Sequence, residues 1–262
     1  MIVTLLTDFG LADHYVGVMK GVVLGVDARI RVVDLTHGIE PGAIEAGAFA
    51  LLSAYPYFPT GTVHVAVVDP GVGSDRRVMV VAAAGQYFLG PDNGLFSYLL
   101  EREPEARVFE VTTARFTRQP RSTTFHGRDL FAPVGAALAT GILPEELGPP
   151  LATPVRLAPL RPEPTPEGAL RGRIVHVDRF GNCITSFTRA DLPDASERVS
   201  VRAGDTWISA LRRHYAGAHA GSPFLIWGST GFLEISMDGA SAAAKLGVRT
   251  GDVVEARAGP TR

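Results

Sequence analysis

The first 150 residues alternate short apolar runs with segments of helical periodicity. The apolar runs, each ended by a turn or a polar loop, predict strands at residues 2–6, 30–35, 63–68, 78–83 and 87–89. Apolar residues at steps of three and four predict helices at residues 15–26, 41–55, 95–101 and 130–139. Such alternation is typical of a mostly parallel sheet with helices on both faces, so we expect an α/β domain with a Rossmann-like sheet.

The pattern changes after residue 150. Seven prolines fall between residues 149 and 166, which predicts a stiff, extended linker. Short β-like runs then predict strands at residues 173–178, 183–187, 199–201, 224–227, 232–236 and 253–256. With one short helix expected at residues 240–246, these strands suit a small all-β barrel. The predicted organisation is therefore an α/β domain at residues 1–150, a linker at residues 151–168 and a smaller C-terminal β-barrel domain at residues 169–262.

Composition favours a packed globular enzyme or binding protein. Hydrophobic residues make up 46% of the chain and charged residues 20%, with a net charge of only −2. This balance offers no basic surface for a nucleic acid or an anionic membrane, so we expect a small-molecule partner. Cys183 is the only cysteine, which excludes an internal disulfide framework and fits a reducing compartment. The start of the chain lacks the basic segment of a signal peptide, and we expect a cytoplasmic protein.

Polar residues that could bind a ligand or take part in catalysis follow several of the predicted strands. Asp69 ends the strand at residues 63–68, and Arg76 lies seven residues further, close enough to fold back beside it. Asp8 and Asp13 lie in the loop after the first strand. Ligands bind at the carboxyl ends of strands in open α/β sheets. If the loop that carries His126 reaches the same edge, an acid, a cation and an imidazole would surround one point.

Two stretches of the second domain combine polar groups with a turn. Asp178, Phe180 and Asn182 place an acid, an aromatic ring and an amide within five residues. The carboxylate and the amide could hold an ammonium group, and the ring could support a flat base. The turn at residues 228–231 could donate hydrogen bonds to a carboxylate. Each stretch is more often an ordinary β-turn than a binding site.

Taken together, these motifs resemble the S-adenosyl-L-methionine hydroxide adenosyltransferases, which are adenosine-forming S-adenosyl-L-methionine hydrolases related to the fluorinases and chlorinases. The resemblance covers nearly the whole chain in the right order. It is carried by Thr-Asp-Phe-Gly at residues 7–10, Tyr-Val-Gly-Val-Met-Lys-Gly at 15–21, Val-Asp-Pro-Gly-Val-Gly at 68–73, Gly-Pro-Asp-Asn-Gly at 90–94, Thr-Phe-His-Gly-Arg-Asp at 124–129 and Asp-Arg-Phe-Gly-Asn at 178–182.

The resemblance implies a role for each matched residue. Asp69, Arg76 and His126 would bind and activate a water. Asp13 would hold the two ribose hydroxyls, with Asp8 beside it in the same loop. The further implied substrate contacts are Asp178 and Asn182 at the methionine ammonium, Phe180 at adenine, Ser229 at the methionine carboxylate, and Ser186, Glu234 and Met237. The resemblance also implies a homotrimer whose active sites lie between the N-terminal domain of one subunit and the C-terminal domain of a neighbour.

The expected reaction is displacement at ribose C5′ by water, with L-methionine leaving from the sulfonium and adenosine as the other product. Either His126 or Asp69 would take the proton, and Arg76 would steady the developing hydroxide. No metal or cofactor is expected, because the leaving group already carries a positive charge. The resemblance implies S-adenosyl-L-methionine as the substrate.

Three other functions remain open at this level. Fluorinases carry a serine, a tyrosine, a tryptophan and an arginine where this chain has Gly127, His126, Gly42 and Thr230, so a SAM-dependent 5′-halogenase is the less favoured branch. A metal-dependent hydrolase would need ligands from Asp8, Asp13, Asp69, His37 and His126. A non-catalytic protein that binds S-adenosyl-L-methionine or adenosine would use the same pocket without turnover.

Overall fold

The computed structural model describes residues 1–192, 199–215 and 221–258, which form a mixed α/β fold with two sheets. The chain divides into two compact units, Met1–Pro159 and Leu160–Arg262, and each is described by itself. Over the described part of the chain, none of the helices combines the length and the apolar character that crossing a bilayer requires.

The first unit contains a six-stranded sheet in the order β2-β1-β3-β5-β4-β6. Its strands are β1 (Ile2–Thr7), β2 (Arg31–Thr36), β3 (Val63–Val67), β4 (Val78–Ala83), β5 (Gln86–Pro91) and β6 (Arg107–Glu110). Strand β1 is parallel to β2 and β3, and β3 is parallel to β5. Strand β4 is antiparallel to both β5 and β6. Every residue of β3 is buried, as expected for a strand covered on both faces of a sheet.

Four helices accompany this sheet. They are α1 (Tyr15–Val26), α2 (Ile44–Ala54), α3 (Ser97–Arg102) and α4 (Ala132–Ala139), and the π-helical turn Gly127–Phe131 leads directly into α4. Met19 and Val23 of α1 and Val134 of α4 join β-strand side chains in one fully buried apolar core. Because this core fixes α1 and α4 against β1 and β3, it also fixes the loops that leave the strand ends.

The register between β1 and β3 decides where the polar loops emerge. Thr7 at the end of β1 lies opposite Val67 at the end of β3. Asp8 and Asp69 therefore both leave the sheet at the same edge, where parallel strands present their carboxyl ends. The parallel pairing of β1 and β3 thus places the loops that follow both strands at one edge of the sheet.

The second unit contains a nine-stranded sheet whose main path runs β11-β10-β15-β8-β9-β14-β13-β12, with β7 paired to β8. Its elements are β7 (Glu163–Pro164), β8 (Leu170–Val177), β9 (Cys183–Thr188), β10 (Val199–Ala203), β11 (Thr206–Ile208), β12 (Leu211–Arg212), β13 (Phe224–Trp227), β14 (Phe232–Ser236), α5 (Ala242–Leu246) and β15 (Val253–Ala258). Most pairs are antiparallel, and alternate residues such as Val199, Val201 and Ala203 point into a separate apolar core. Helix α5 begins at Ser241, whose hydroxyl accepts the Ala244 N–H.

A buried histidine in β3 makes the stability of the first unit depend on pH. His64 Nε2 donates a hydrogen bond of 2.8 Å to Gln86 Oε1, and Nδ1 accepts one of 2.8 Å from Thr4 Oγ1. Burial lowers the pKa of His64 to about 4. In the unfolded chain the pKa would return to about 6.5. Between these values the unfolded chain binds the proton and the folded chain does not, so acid favours unfolding.

We expect the free energy of unfolding to fall by about 1.4 kcal/mol per pH unit below pH 6.5, roughly 3 kcal/mol by pH 4, from His64 alone. Urea denaturation between pH 7 and pH 4.5 measures this slope. A His64→Gln variant, which cannot titrate, should show a shallower slope whatever its absolute stability. Equal slopes in the two proteins would contradict the assignment.

Candidate active site

Asp69 and Arg76 form a buried ion pair at the carboxyl edge of the first sheet. Arg76 Nε lies 2.9 Å from both carboxylate oxygens of Asp69, and Arg76 Nη2 lies 2.5 Å from Oδ2. The two side chains are 4% and 11% exposed, respectively. The guanidinium also lies 5.5 Å from the centre of the Phe131 ring. The guanidinium of Arg76 is held in one orientation because two of its nitrogens bond to the carboxylate and it packs on the Phe131 ring. Asp69 therefore cannot rotate freely.

The same guanidinium reaches His126. Arg76 Nη2 lies 2.8 Å from His126 Nδ1. Because a guanidinium can only donate, Nδ1 must be the acceptor, and the proton of the neutral ring lies on Nε2. Burial, the Arg76 cation and the Arg121 cation all lower the pKa of His126 from its ordinary value, which favours this neutral form. His126 therefore presents an N–H donor on the side away from Arg76.

The loop that carries His126 is tied down by Asp129. This carboxylate is buried; it accepts hydrogen bonds from the Ser122 N–H and, at 2.7 Å, from Arg128 Nε. These contacts with Arg128, and the Ser122 N–H, hold the pKa of Asp129 below its usual range despite burial. The π-helical turn begins one residue after His126, and such turns commonly occur at functional sites. The position of the His126 imidazole is thus fixed by the loop that Asp129 holds and by the helical turn that follows it.

Gly73 lets the Asp69 loop approach the His126 loop. Its φ is +81°, and a β-carbon built there would lie 2.3 Å from the carbonyl oxygen of Thr123. Gly71, in the same loop, is not among the positive-φ glycines. Only at position 73 do backbone conformation and close approach both require glycine in this loop.

Gly73→Ala should therefore separate the two loops. We expect a loss of about 1–3 kcal/mol in unfolding free energy and, from displacement of Arg76 relative to His126, a fall in kcat of roughly 10-fold or more. Gly61→Ala is the matched control, because Gly61 has φ +82° and nothing within 4 Å of a built β-carbon. It should show the backbone strain without the loss of kcat. A normal kcat in Gly73→Ala would contradict this account.

The two acids after β1 differ in their surroundings. Asp8 is half-buried, and its Oδ2 accepts the Gly42 N–H at 2.8 Å, which leaves Oδ1 without a partner among the described residues. Asp13 is exposed and does not cap α1, whose N-cap residue His14 makes no side-chain cap hydrogen bond. Both carboxylates are therefore available to a ligand.

In the second unit, the turn at residues 178–182 forms one wall of a cavity of about 740 Å³. Asp178 Oδ1 accepts the N–H groups of Phe180 and Asn182, and Oδ2 accepts Asn182 Nδ2, each at 2.9 Å. Four of the implied substrate contacts line this cavity: Asp178, Phe180, Asn182 and Met237. Phe180 is 78% exposed, so its ring face is free to stack on a ligand.

The other three implied contacts do not line the cavity. Ser186 is buried, and its hydroxyl accepts the Arg173 N–H at 3.1 Å. Ser229 is exposed in the turn closed by the hydrogen bond from the Gly231 N–H to the Gly228 carbonyl. Glu234 is buried, accepts the Tyr215 hydroxyl at 3.0 Å and has its pKa raised mainly by burial. Glu234 thus contacts the cavity only through Tyr215.

Tyr215 and Ser241 are among the lining residues that sequence reasoning missed. Tyr215 follows a two-residue strand and carries no motif, so no local signal identifies it. Ser241 could have been found as the N-cap of α5, where a serine before an alanine-rich run is a helix start signal. Gly181 packs against this serine, since a β-carbon there would lie 2.1 Å from Ser241 Oγ.

The geometry of the site also bears on the two alternative enzyme functions, a metal-dependent hydrolase and a 5′-halogenase. Over the described ranges, no three His, Cys, Asp or Glu side chains converge in a way that could hold a metal, so the five-residue ligand set considered above does not form. A β-carbon at Gly127 would lie 3.0 Å from both Met19 Sδ and Phe125 Cε2, which leaves little room for a serine there. Gly42 has φ +75°, a conformation that strains any side chain.

Comparison with known proteins identifies the family of the chain. Residues 3–148 match the SAM hydroxide adenosyltransferase N-terminal domain, and residues 172–255 match the corresponding C-terminal domain. A protein from Thermus thermophilus named (R)-S-adenosyl-L-methionine hydrolase is 41% identical over 94% of this chain and 95% of its own. A fluorinase from Actinopolyspora mzabensis is 27% identical over 95% of each chain. The crystal structure of a conserved protein from Thermotoga maritima superposes with a TM-score of 0.90 at 34% identity, covering 98% of this chain and 99% of the other. The chain belongs to the SAM hydroxide adenosyltransferase family.

Proposed function

We propose that this protein hydrolyses S-adenosyl-L-methionine to adenosine and L-methionine. The observation that carries the proposal is the direct contact of Asp69, Arg76 and His126, which are separated by 7 and 50 residues in the chain. An anionic oxygen, a fixed cation and an N–H donor in one place are the groups needed to bind and polarise a water. The family and the hydrolase name of the 41% identical relative support the same substrate.

In the proposed mechanism, Asp69 takes the proton. Arg76 occupies His126 Nδ1, so the imidazole faces the water with Nε2–H and acts as a donor rather than a base. The water oxygen attacks C5′ in line with the sulfur, the C5′–S bond breaks with its electrons going to sulfur, and neutral thioether leaves as methionine. Proton transfer to a placed carboxylate contributes roughly 10²- to 10⁴-fold. Arg76 and the His126 N–H stabilise the developing hydroxide.

The proposed substrate contacts use polar groups from both units. Asp8 and Asp13 would accept hydrogen bonds from the ribose hydroxyls, as an acidic residue does in dinucleotide-binding α/β folds. In the second unit, Asp178 and Asp238 line the cavity, and none of the described lining residues is a Lys or an Arg. An electronegative cavity suits the ammonium and sulfonium cations of the substrate. Phe180 would stack on adenine, and Asn182, Met237, Ser186, Ser229 and Glu234 would complete the binding surface.

We also propose the finer architecture and assembly. Strands β11 and β12, which stand at the two ends of the strand order of the second sheet, are separated by only two residues, and this supports closure of the sheet into a barrel. The mostly parallel first sheet supports a Rossmann-like core. The family resemblance implies a homotrimer, which light scattering of the purified protein tests. The single cysteine supports a cytoplasmic setting.

The proposal is tested by incubating the purified protein with S-adenosyl-L-methionine and separating the products by chromatography. We expect adenosine and methionine in equal amounts, with the same rate after treatment with a chelator. Chloride or fluoride should not divert the product to a 5′-halogenated nucleoside. Binding without adenosine release would replace the proposal with a binding function, and loss of activity in chelator would replace it with a metal-dependent hydrolase.

A further inference from the structure

A chain of polar contacts runs from the surface of the first unit to the Asp8 loop. Lys20 Nζ lies 2.7 Å from Asp34 Oδ2, and Asp34 Oδ1 lies 3.0 Å from His37 Nε2, although this nitrogen makes no aligned hydrogen bond among the described residues. On its other side, His37 Nδ1 lies 2.8 Å from Thr7 Oγ1, a buried hydrogen bond. Thr7 and His37 are almost fully buried, at 0% and 4% exposure. The proposed mechanism uses neither residue.

The direction of this chain follows from what each group can donate. The Asp34 carboxylate can only accept, so it favours the tautomer of His37 that carries its proton on Nε2 and accepts at Nδ1. In that tautomer the Thr7 hydroxyl donates to Nδ1. Its oxygen keeps a lone pair, which accepts the Phe9 N–H at 3.2 Å. The tautomer of His37 thus sets the orientation of the Thr7 hydroxyl and one backbone bond of the loop.

The His37 segment holds the Asp8 loop by its backbone as well. The His37 carbonyl accepts the Gly10 N–H at 2.8 Å, and Gly42 further along the same segment donates to Asp8 Oδ2 at 2.8 Å. Asp8 lies between Thr7 and Phe9. Thr7 is hydrogen-bonded to His37 directly, and Phe9 is linked to His37 through the Thr7 hydroxyl. The free oxygen of Asp8 is left pointing in a single direction.

We propose that His37 is a positioning residue, which acts through Thr7 to hold the Asp8 carboxylate in the orientation that binds the ribose of the substrate. This inference rests on the proposed function. Disturbing the chain should weaken substrate binding without changing the chemical step, since Asp69, Arg76 and His126 are held by separate contacts.

The test is a double-mutant cycle between Thr7→Val and Asp8→Asn in the hydrolysis assay. Thr7→Val should raise KM roughly 3- to 10-fold with kcat within about 2-fold, the effect of one hydrogen bond lost from binding. In the Asp8→Asn background, where the positioned group is already altered, the same change should raise KM less than about 2-fold. Thr7→Ser, which keeps the hydroxyl, should restore the wild-type KM.

The matched control is Thr4→Val. Thr4 lies on the same strand, is equally buried and makes an equally short 2.8 Å hydrogen bond to His64, away from the Asp8 loop. It should lower stability without raising KM. Asp34→Asn, at a partly exposed side chain, repeats the test and should raise KM by about 2-fold or more even if Thr7→Val folds poorly.

The outcomes separate the two proposals. No adenosine from the wild-type protein would refute the proposed function itself. Hydrolysis by the wild type, together with equal effects of Thr7→Val in both backgrounds, an unchanged KM in Asp8→Asn, or a KM rise in Thr4→Val as large as in Thr7→Val, would overturn only the role of His37.

Discussion

Asp69→Asn should turn over S-adenosyl-L-methionine about 10²- to 10⁴-fold more slowly than the wild-type protein, with little change in KM. The amide keeps the shape of the carboxylate and can still accept from Arg76, so the change removes mainly the proton acceptor. Single-turnover kinetics measure the chemical step directly. Because Arg76 occupies Nδ1 of His126, the imidazole cannot take over this role.

Asp75→Asn provides the control for this measurement. Asp75 is exposed in the same loop, so its substitution should leave kcat unchanged. His126→Ala removes the Nε2–H donor and should lower kcat by at least ~10²-fold while substrate still binds. Wild-type turnover in both Asp69→Asn and His126→Ala would refute the assignment of these residues to water activation.

Arg76→Gln has the second largest expected effect, because Arg76 contacts both of its catalytic neighbours. The substitution leaves the buried Asp69 carboxylate without its cation and releases Nδ1 of His126. We expect kcat to fall roughly 10²- to 10³-fold, as when one stabilising donor is lost from an active site.

The pH profile of Arg76→Gln should shift as well. The Arg76 cation helps to lower the pKa of His126, so its removal raises that pKa toward about 6.5. Activity requires the neutral imidazole; the acidic limb of kcat/KM should therefore lie below pH 6.5 in the wild type and move to higher pH in the variant. Arg77→Gln is the control, since Arg77 pairs with Asp92 instead. An acidic limb at the same pH in wild type and Arg76→Gln would contradict the proposed hydrogen bond to Nδ1.

Periodicity predicted the long elements well and the short ones poorly. The predicted helix at residues 15–26 and the strands at residues 78–83, 224–227 and 232–236 are confirmed with the same bounds. Strand β6 was not predicted, because only Phe109 of its four residues is buried and the apolar signal is correspondingly weak. Strands β7, β11 and β12 have two or three residues each, too few to show a period.

The candidate site could be predicted only as far as local spacing reaches. The seven-residue separation of Asp69 and Arg76 allowed their contact to be expected. The arrival of His126 could be stated only as a condition on its loop, and the family resemblance then supported it. The close approach of Gly73 to Thr123 joins two loops that are far apart in the sequence, and neither loop carries a sequence signal for it. Likewise, the hydrogen bond that fixes the tautomer of His126 depends on where Arg76 points after folding, which no sequence pattern encodes.

Hydrolysis in water enriched in ¹⁸O tests most directly whether a water held by Asp69, Arg76 and His126 attacks C5′. Mass spectrometry of the products should find one ¹⁸O atom in the 5′-hydroxyl of adenosine and none in methionine, with the labelled product strongly reduced in Asp69→Asn. Unlabelled adenosine, label in methionine, or undiminished formation of labelled adenosine by Asp69→Asn would contradict the mechanism.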